Sequence, residues 1–220
     1  MPYRRTENVA RRLAARHDAI IAAARRIASE SGMAAVQIAS VAGRAEIATG
    51  TVYRYFPAKT DLVAALLREI AEREIGAVHR AAGAAPGPLS ALCAAIMIFA
   101  TRARRERRLA FAAIAEPVDA EVDAERTAFR KSLAAEFAGL IAAAITERRL
   151  PEQDAKLSAA ALTGLLIEGA IGPLAPDEAG RDRDLVQSLA LAGLRGLGVA
   201  DARARGLVVQ TAIPPSENTP

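Results

Sequence analysis

Between Thr49 and Lys59 the chain gathers two threonine hydroxyls, two phenols, a guanidinium and an ammonium: Thr49, Thr51, Tyr53, Arg54, Tyr55 and Lys59. None of these groups has a base beside it to make it a nucleophile. All of them donate hydrogen bonds and two are cations, which suits phosphate oxygens and base edges better than bond breaking. Gly50, having no Cβ, lets the backbone itself approach such a partner, which would offset its helix-propensity cost of about 1 kcal/mol.

The elements that must hold these groups are legible in the apolar spacing. Val52 and Phe56, four apart, define one buried face and leave Thr49, Thr51, Tyr53, Arg54 and Tyr55 to the others. Pro57 ends this short helix, and Lys59-Thr60-Asp61 opens the next, with Asp61 in the first turn where the helix dipole favours a carboxylate. Upstream, Ile38, Val41 and Ala42 form a one-sided stripe over two turns, and Gly43 and Ala45 are small enough for a second helix to cross closely. Two short helices across a tight turn, followed by a third, fit a major groove wide enough to admit an α-helix. The competing reading is a plain helical hairpin whose tyrosines are core residues with satisfied hydroxyls.

The ordered run from Gly32 through Val41-Ala42 and Ile47-Ala48-Thr49-Gly50-Thr51-Val52-Tyr53-Arg54-Tyr55-Phe56 to Lys59 and Leu62 resembles the DNA-binding domain of the tetracycline-repressor (TetR/AcrR) family of bacterial regulators. The likeness covers roughly Arg11 to Leu67, under a third of the chain. It implies that Thr49, Gly50, Thr51, Tyr53 and Arg54 contact bases and phosphates, with Tyr53 as the family's phosphate-binding tyrosine. It also implies that Lys59 grips a phosphate together with the amides of its helix N-terminus. Tyr55 either touches a phosphate or only packs. Two positions depart from the pattern. Gln37 stands where a Ser or Thr usually caps the second helix and meets a phosphate, and Gln is a poor N-cap. Glu46 stands where the turn usually has Gly; a left-handed backbone there would cost on the order of 1 kcal/mol and bring a negative charge towards DNA.

The charge distribution agrees with a polyanionic partner. Residues 1–61 carry ten Lys or Arg against five Asp or Glu, whereas residues 62–220 carry nineteen against twenty. The net positive charge therefore lies with the motif. Alanine-rich composition with few aromatics and no Trp predicts an all-α protein. No run of about twenty apolar residues exists and the N-terminus is basic and polar, so the expectation is a cytoplasmic protein without a membrane span. Cys93 is the single cysteine; it excludes an intramolecular disulfide and reads as a small core hydrophobe before a redox sensor. His17 and His79 have no ligand-spaced partners, so no metal and no cofactor is expected.

In chain order, Arg4, Arg5, Arg11, Arg12 and Arg16 form a basic arm leading into a first helix from about Val9 to Glu30, whose inner face would be Leu13, His17, Ile20, Ala24 and Ile27. A helix from about Ala58 to Ala82 follows the motif, with Leu62, Leu66, Ile70, Ile75 and Val78 as its seam. Gly83 to Pro88 reads as a linker. A helix from about Leu89 to Ala103 runs into an arginine cluster, Arg102 to Arg108, read as a solvated surface facing acids of the first or fourth helix, with a second nucleic-acid site as the alternative. Leu109 to Ala115 forms a short helix ended by Glu116-Pro117-Val118-Asp119. A long helix begins at Asp119 with the early acids Glu121, Asp123 and Glu125, and Phe129, Leu133, Phe137, Leu140, Ile141 and Ile145 face inward. Two terminal helices, from Asp154 to about Ile171 and from about Asp182 to Leu197, read as apolar nearly all round, so each needs a second partner. Residues 201–220, including Pro214-Pro215-Ser216, read as an irregular tail.

These features predict about nine helices in an N-terminal helix-turn-helix DNA-binding domain (1–61) and a C-terminal effector-binding and dimerisation domain (62–200). DNA contacts are expected from Gln37, Thr49, Gly50, Thr51, Tyr53, Arg54, Tyr55 and Lys59. Met97, Phe99, Phe111, Phe129, Leu133 and Phe137 are the larger side chains able to line a pocket for a small apolar effector, or simply to fill the core. Leu162, Leu165, Gly169, Leu189, Gly193 and Gly196 are expected at a homodimer interface through the last two long helices. The implied function is a ligand-released repressor on a palindromic operator, with the fourth helix as the lever. An enzyme is disfavoured because no nucleophile, metal or phosphate-loop constellation is present. A DNA-binding protein without an effector is the third alternative.

Overall fold

A chain this rich in Ala, Leu and Arg satisfies its backbone hydrogen bonds most economically inside helices. The computed structural model describes residues 3–116, 119–176 and 180–211. Among them are ten α-helices and one 3-10 turn, and no strand. They are α1 (Tyr3–Ser31), the 3-10 turn (Met33–Ala35), α2 (Ile38–Arg44), α3 (Thr49–Tyr55), α4 (Lys59–Gly83), α5 (Pro88–Arg105), α6 (Arg107–Ile114), α7 (Ala120–Thr146), α8 (Ala155–Ala170), α9 (Asp182–Gly196) and α10 (Asp201–Gln210).

Helix ends follow local chemistry. Asp154 caps α8 by accepting from the amides of Lys156 and Leu157 at 2.9 and 3.1 Å. Pro88 occupies the first position of α5, where a missing N–H costs nothing. Asp119 stands at the start of α7 as expected, but its side chain makes no capping bond.

Three expectations are corrected. Residues 201–210 are not irregular: Asp201 to Gln210 forms α10, whose Ala204, Leu207 and Val208 are buried. Asp201 sits in its first turn and pairs with Arg205 one turn on at 2.9 Å, which helps the helix tolerate Gly206. Next, α1 begins at Tyr3, and Leu13 is half exposed; the inner face of α1 starts only at Ile20. The helix projects beyond the core it packs on. Finally, α9 is not apolar all round, since Asp182, Arg183, Asp184, Ser188 and Arg195 are exposed. The side chains of Arg4, Arg5 and Glu121, the break at Pro117-Val118 and the run Pro214-Pro215-Ser216 lie outside the described residues.

Buried side chains run as one cluster from Ile20, Val41, Val52 and Leu62 in the N-terminal head to Leu92, Phe99, Phe137 and Leu166 in the body. Within the body α5 is the central rod, touching α4, α6, α7, α8, α9 and α10. Its Leu92, Cys93, Ala95, Ile96 and Ala100 have no exposed surface. Helix α4 passes from head to body, packing on α1 near its start and on α5 and α7 beyond.

Candidate nucleic-acid interface

The head holds its short helices through a small number of fully buried anchors. Val41 and Ala42 of α2 and Val52 of α3 are buried, and α2 and α3 cross directly. Phe56, 5% exposed, plugs the end of α3. The imidazole of His17 from α1 lies 5.3 Å from the Phe56 ring and 6.5 Å from that of Tyr55. His17 is thus a half-exposed packing residue beside the plug. The Arg44 guanidinium at the end of α2 donates to both carboxylate oxygens of Glu30 on α1, at 2.7 and 2.6 Å. That bond holds the Glu30 carboxyl below its usual range and fixes the direction of α2 against α1.

With the anchors turned inward, α3 turns its polar groups outward. Thr49, Gly50, Tyr53 and Arg54 are exposed, while Thr51, Tyr55 and Lys59 are half-buried. A Cβ placed on Gly50 would meet nothing within 4 Å, so glycine here is not demanded by packing within the chain. Lys59 begins α4, and Asp61 in the same turn accepts from the Ala58 amide at 2.9 Å. The first N–H groups of a helix have no intrahelical acceptor, so the start of α4 offers amides beside an ammonium. All of the expected DNA-contacting positions except Gln37 therefore cluster on α3 and the first residue of α4.

The two departures behave as their chemistry demands. Gln37 is the N-cap residue of α2 but makes no capping bond; its amide donates to the Ala34 carbonyl at 2.9 Å instead. It is exposed at the α2 end. Glu46 adopts φ of 54°, the left-handed conformation for which Gly is suited, and its side chain is exposed.

The other predicted residues divide differently. Met97, Phe99, Phe129, Leu133 and Phe137 are at most 3% exposed and belong to the core, and Phe111 is half-buried. Met97 also lines a groove of about 300 Å³ between the end of α4, α5 and α10, together with Ala81, Ala94, Ile98, Leu207 and Thr211. Leu162, Leu189 and Gly193 are buried inside the single chain, at the α8–α9 contact. A Cβ on Gly193 would come within 2.8 Å of the Leu162 side chain, and one on Gly169 within 2.4 Å of Leu189. Leu165 and Gly196 are exposed, as are Leu157 and Leu174.

The arginine cluster meets an acid of α4, as expected, but it is not a uniformly solvated run. Arg102 makes a two-pronged bond to Glu74 of α4 at 2.7 Å. Arg104 is buried, bonded to Asp182 of α9 at 2.7 Å and to the carbonyls of Ala170 and Pro176 at 3.2 Å. Sequence reasoning missed this role because the partners lie far along the chain and five neighbouring arginines look alike locally. It also missed Glu116, whose carboxylate reaches the amides of Met33 and Ala34. Gly32, read as the first residue of the run that carries the resemblance, was the available signal.

Residues 20–66 match the family described as bacterial regulatory proteins of the tetR family. Over 77 residues the chain is 43% identical to the HTH-type transcriptional repressor KstR of Mycolicibacterium smegmatis, covering 35% of this chain and 38% of that protein. The chain thus matches little more than a third of the length of that curated relative. Across most of the chain the fold is that of RolR, crystallised with resorcinol: TM-score 0.66, 23% identity, 91% of this chain and 96% of that one. The transcriptional regulator FadR from Bacillus subtilis, crystallised with stearoyl-CoA, gives a TM-score of 0.65 at 20% identity over 78% of this chain and 96% of its own. At such identities these two speak to architecture alone. Its head, residues 20–66, is thus similar in sequence to the tetR family of bacterial regulatory proteins, and the chain shares its fold with these two solved structures.

Proposed function

We propose that this protein is a sequence-specific DNA-binding transcriptional regulator, a homodimeric repressor released from an approximately palindromic operator by a small apolar effector. The observation that carries the reading is the outward face of α3: Thr49, Gly50, Tyr53 and Arg54 exposed together, with Lys59 at the adjoining start of α4. Thr49, Thr51 and Arg54 reach base edges and phosphates, Tyr53 and Lys59 hold phosphates, and Gly50 permits close approach. Tyr55, half-buried beside His17, packs first; Gln37 supplies a phosphate contact from the α2 end. In a homodimer two copies of α3 enter successive major grooves roughly 34–36 Å apart.

Residues 1–61 serve as the DNA-binding domain and 62–200 as the effector-binding and dimerisation domain, with α4 common to both. Dimerisation uses α8 and α9: Leu165, Gly196 and Leu157 supply the exposed part of the surface, while Leu162, Gly169, Leu189 and Gly193 set the spacing of the helix pair from within. For the effector, the mostly apolar lining of the body supports an apolar compound. Met97 and the α4–α5–α10 groove give one place for it, at the lower end of the usual volume for ligand pockets; Phe99, Phe129, Leu133 and Phe137, buried in the core, and the half-buried Phe111 would line a pocket only if the body opened.

The test is binding to the DNA upstream of the protein's own gene, followed by sequence selection from a random duplex pool. Recovery of an inverted repeat with half-sites one helical turn apart, and a complex of two chains per duplex, is the expected result. Enrichment of no sequence above a random duplex would overturn the proposal.

A further inference from the structure

The 3-10 turn Met33–Ala35 stands directly before α2, and its amides are accounted for unevenly. Ala35 donates to Gly32 and Val36 to Met33, within the turn. The first two donors, Met33 and Ala34, have no acceptor that the turn itself can supply. The residue in the N-cap position is Gly32, which has no side chain to offer. The missing cap comes from another part of the molecule: Glu116, just past the end of α6, accepts from the Met33 amide at 2.9 Å and from the Ala34 amide at 3.2 Å.

Gly32 is what admits the carboxylate. Its φ is 85°, and a Cβ there would lie 2.9 Å from one oxygen of Glu116 and 3.2 Å from the other. Glu116 is in turn fixed to α6, since its own amide donates to the Phe111 carbonyl at 2.8 Å. The last carbonyl of α6, that of Ile114, accepts from Arg126 of α7. At the opposite end of α6, Glu106 pairs with Arg25 of α1 at 2.7 Å. Helix α6 is therefore tied to the head at both ends and to α7 at one. Its inner side, Leu109, Ala112, Ala113 and Ile114, is buried.

We propose that Glu116 is the positioning residue through which the body sets the pose of α2 and α3: an N-terminal cap supplied by α6 and withdrawn when α6 shifts, with Glu106–Arg25 as a second, more exposed tie. The inference rests on the DNA-binding reading above. A carboxylate on two amides is directional, so a displacement of α6 of an ångström or two removes both bonds at once. The turn then loses its cap, and α2 follows, because only Val36 and Gln37 separate the turn from it. This route runs through side-chain bonds from α6, whereas α4 meets the head by its own packing on α1.

The experiment compares wild type with Glu116→Gln, Glu116→Ala and Glu106→Gln, using the full chain, by amide hydrogen exchange and by operator affinity. In Glu116→Ala, exchange in peptides spanning 33–38 rises on the order of tenfold or more while peptides from α8 and α9 keep wild-type protection, which shows that the body is folded. Operator affinity falls about tenfold, with Glu116→Gln between and Glu106→Gln nearer wild type. Unchanged exchange at 33–38 in Glu116→Ala overturns the cap. Faster exchange with undiminished operator affinity overturns the coupling. A wild type that binds no operator, with exchange still faster in Glu116→Ala, overturns the DNA-binding reading and the coupling with it, and leaves the cap as a structural bond only.

Discussion

The two ends of α4 sit in different physical regimes. At its start, Lys59 and the neighbouring α3 present hydroxyls, phenols and cations to water, and what matters is which group stands at which position. Towards its end, Val78 and Ala82 disappear into a body where Phe99, Leu133, Phe137 and Ile141 are buried and what matters is volume. Surface chemistry is specified by residue type at fixed spacing. A packed interior accepts many solutions of equal volume, so it carries little about what the body binds. The head is therefore the part in which function can be read directly, and the body the part in which stability resides.

Truncation in the body tests that division most severely. Phe137→Ala, at a fully buried position, removes an aromatic ring from a close-packed core and is expected to cost about 3–5 kcal/mol, lowering the melting temperature on the order of 10 °C. Operator affinity of the fraction that stays folded should be retained. Arg54→Ala and Tyr53→Phe invert this: operator binding weakens about tenfold to a hundredfold while chemical denaturation shifts by no more than about 0.5 kcal/mol. A Tyr53→Phe protein that melts several degrees lower would blur the comparison, because it would assign the phenol to packing.

Glu46→Gly sharpens it, since one residue of the head carries both strain and charge. Its left-handed backbone is released by glycine, at some cost in unfolded-chain entropy, for a net gain of about 0.5–1 kcal/mol in urea denaturation. Loss of the carboxylate should tighten DNA binding as well, most visibly at low salt. The smallest effect belongs to Cys93, whose thiol pKa is pushed up by burial and only partly drawn back by the hydrogen bond from Thr211. The fold favours the neutral thiol. Its contribution to stability is therefore complete below the unfolded thiol pKa and is lost as pH rises through and above that value. Thiol-reagent labelling at pH 8 should proceed only as fast as the body opens, and the alkaline decline should be reduced in Cys93→Ala.

Much of the head was legible because its signals are local. Val52 and Phe56 mark the inner face of α3, Pro57 and Asp61 mark the boundary with α4, and Gln37 and Glu46 were recognisable as poor choices for their positions. What was not legible depends on residues far apart in the chain. Nothing near Arg104 shows that it, and not Arg105 or Arg108, turns inward to meet Asp182. Leu162 and Leu189 look like interface residues on isolated helices, yet α8 and α9 bury them against each other and the nearby core. α10 was hidden by Gly206 and by the proline-containing run beyond it, although Ala204, Leu207 and Val208 already had helical spacing. Glu116 could not be assigned at all before α6 was seen to lie against α1.

The central claim is that the face formed by α3 and the start of α4 binds DNA through specific phosphate and base contacts. The most direct measurement is the salt dependence of operator affinity for wild type and Lys59→Ala. Wild-type affinity should fall steeply with salt, and the variant should form a weaker complex whose slope of log K against log salt is reduced by about one, as expected when one phosphate contact is removed. An identical slope and affinity in both proteins would contradict it.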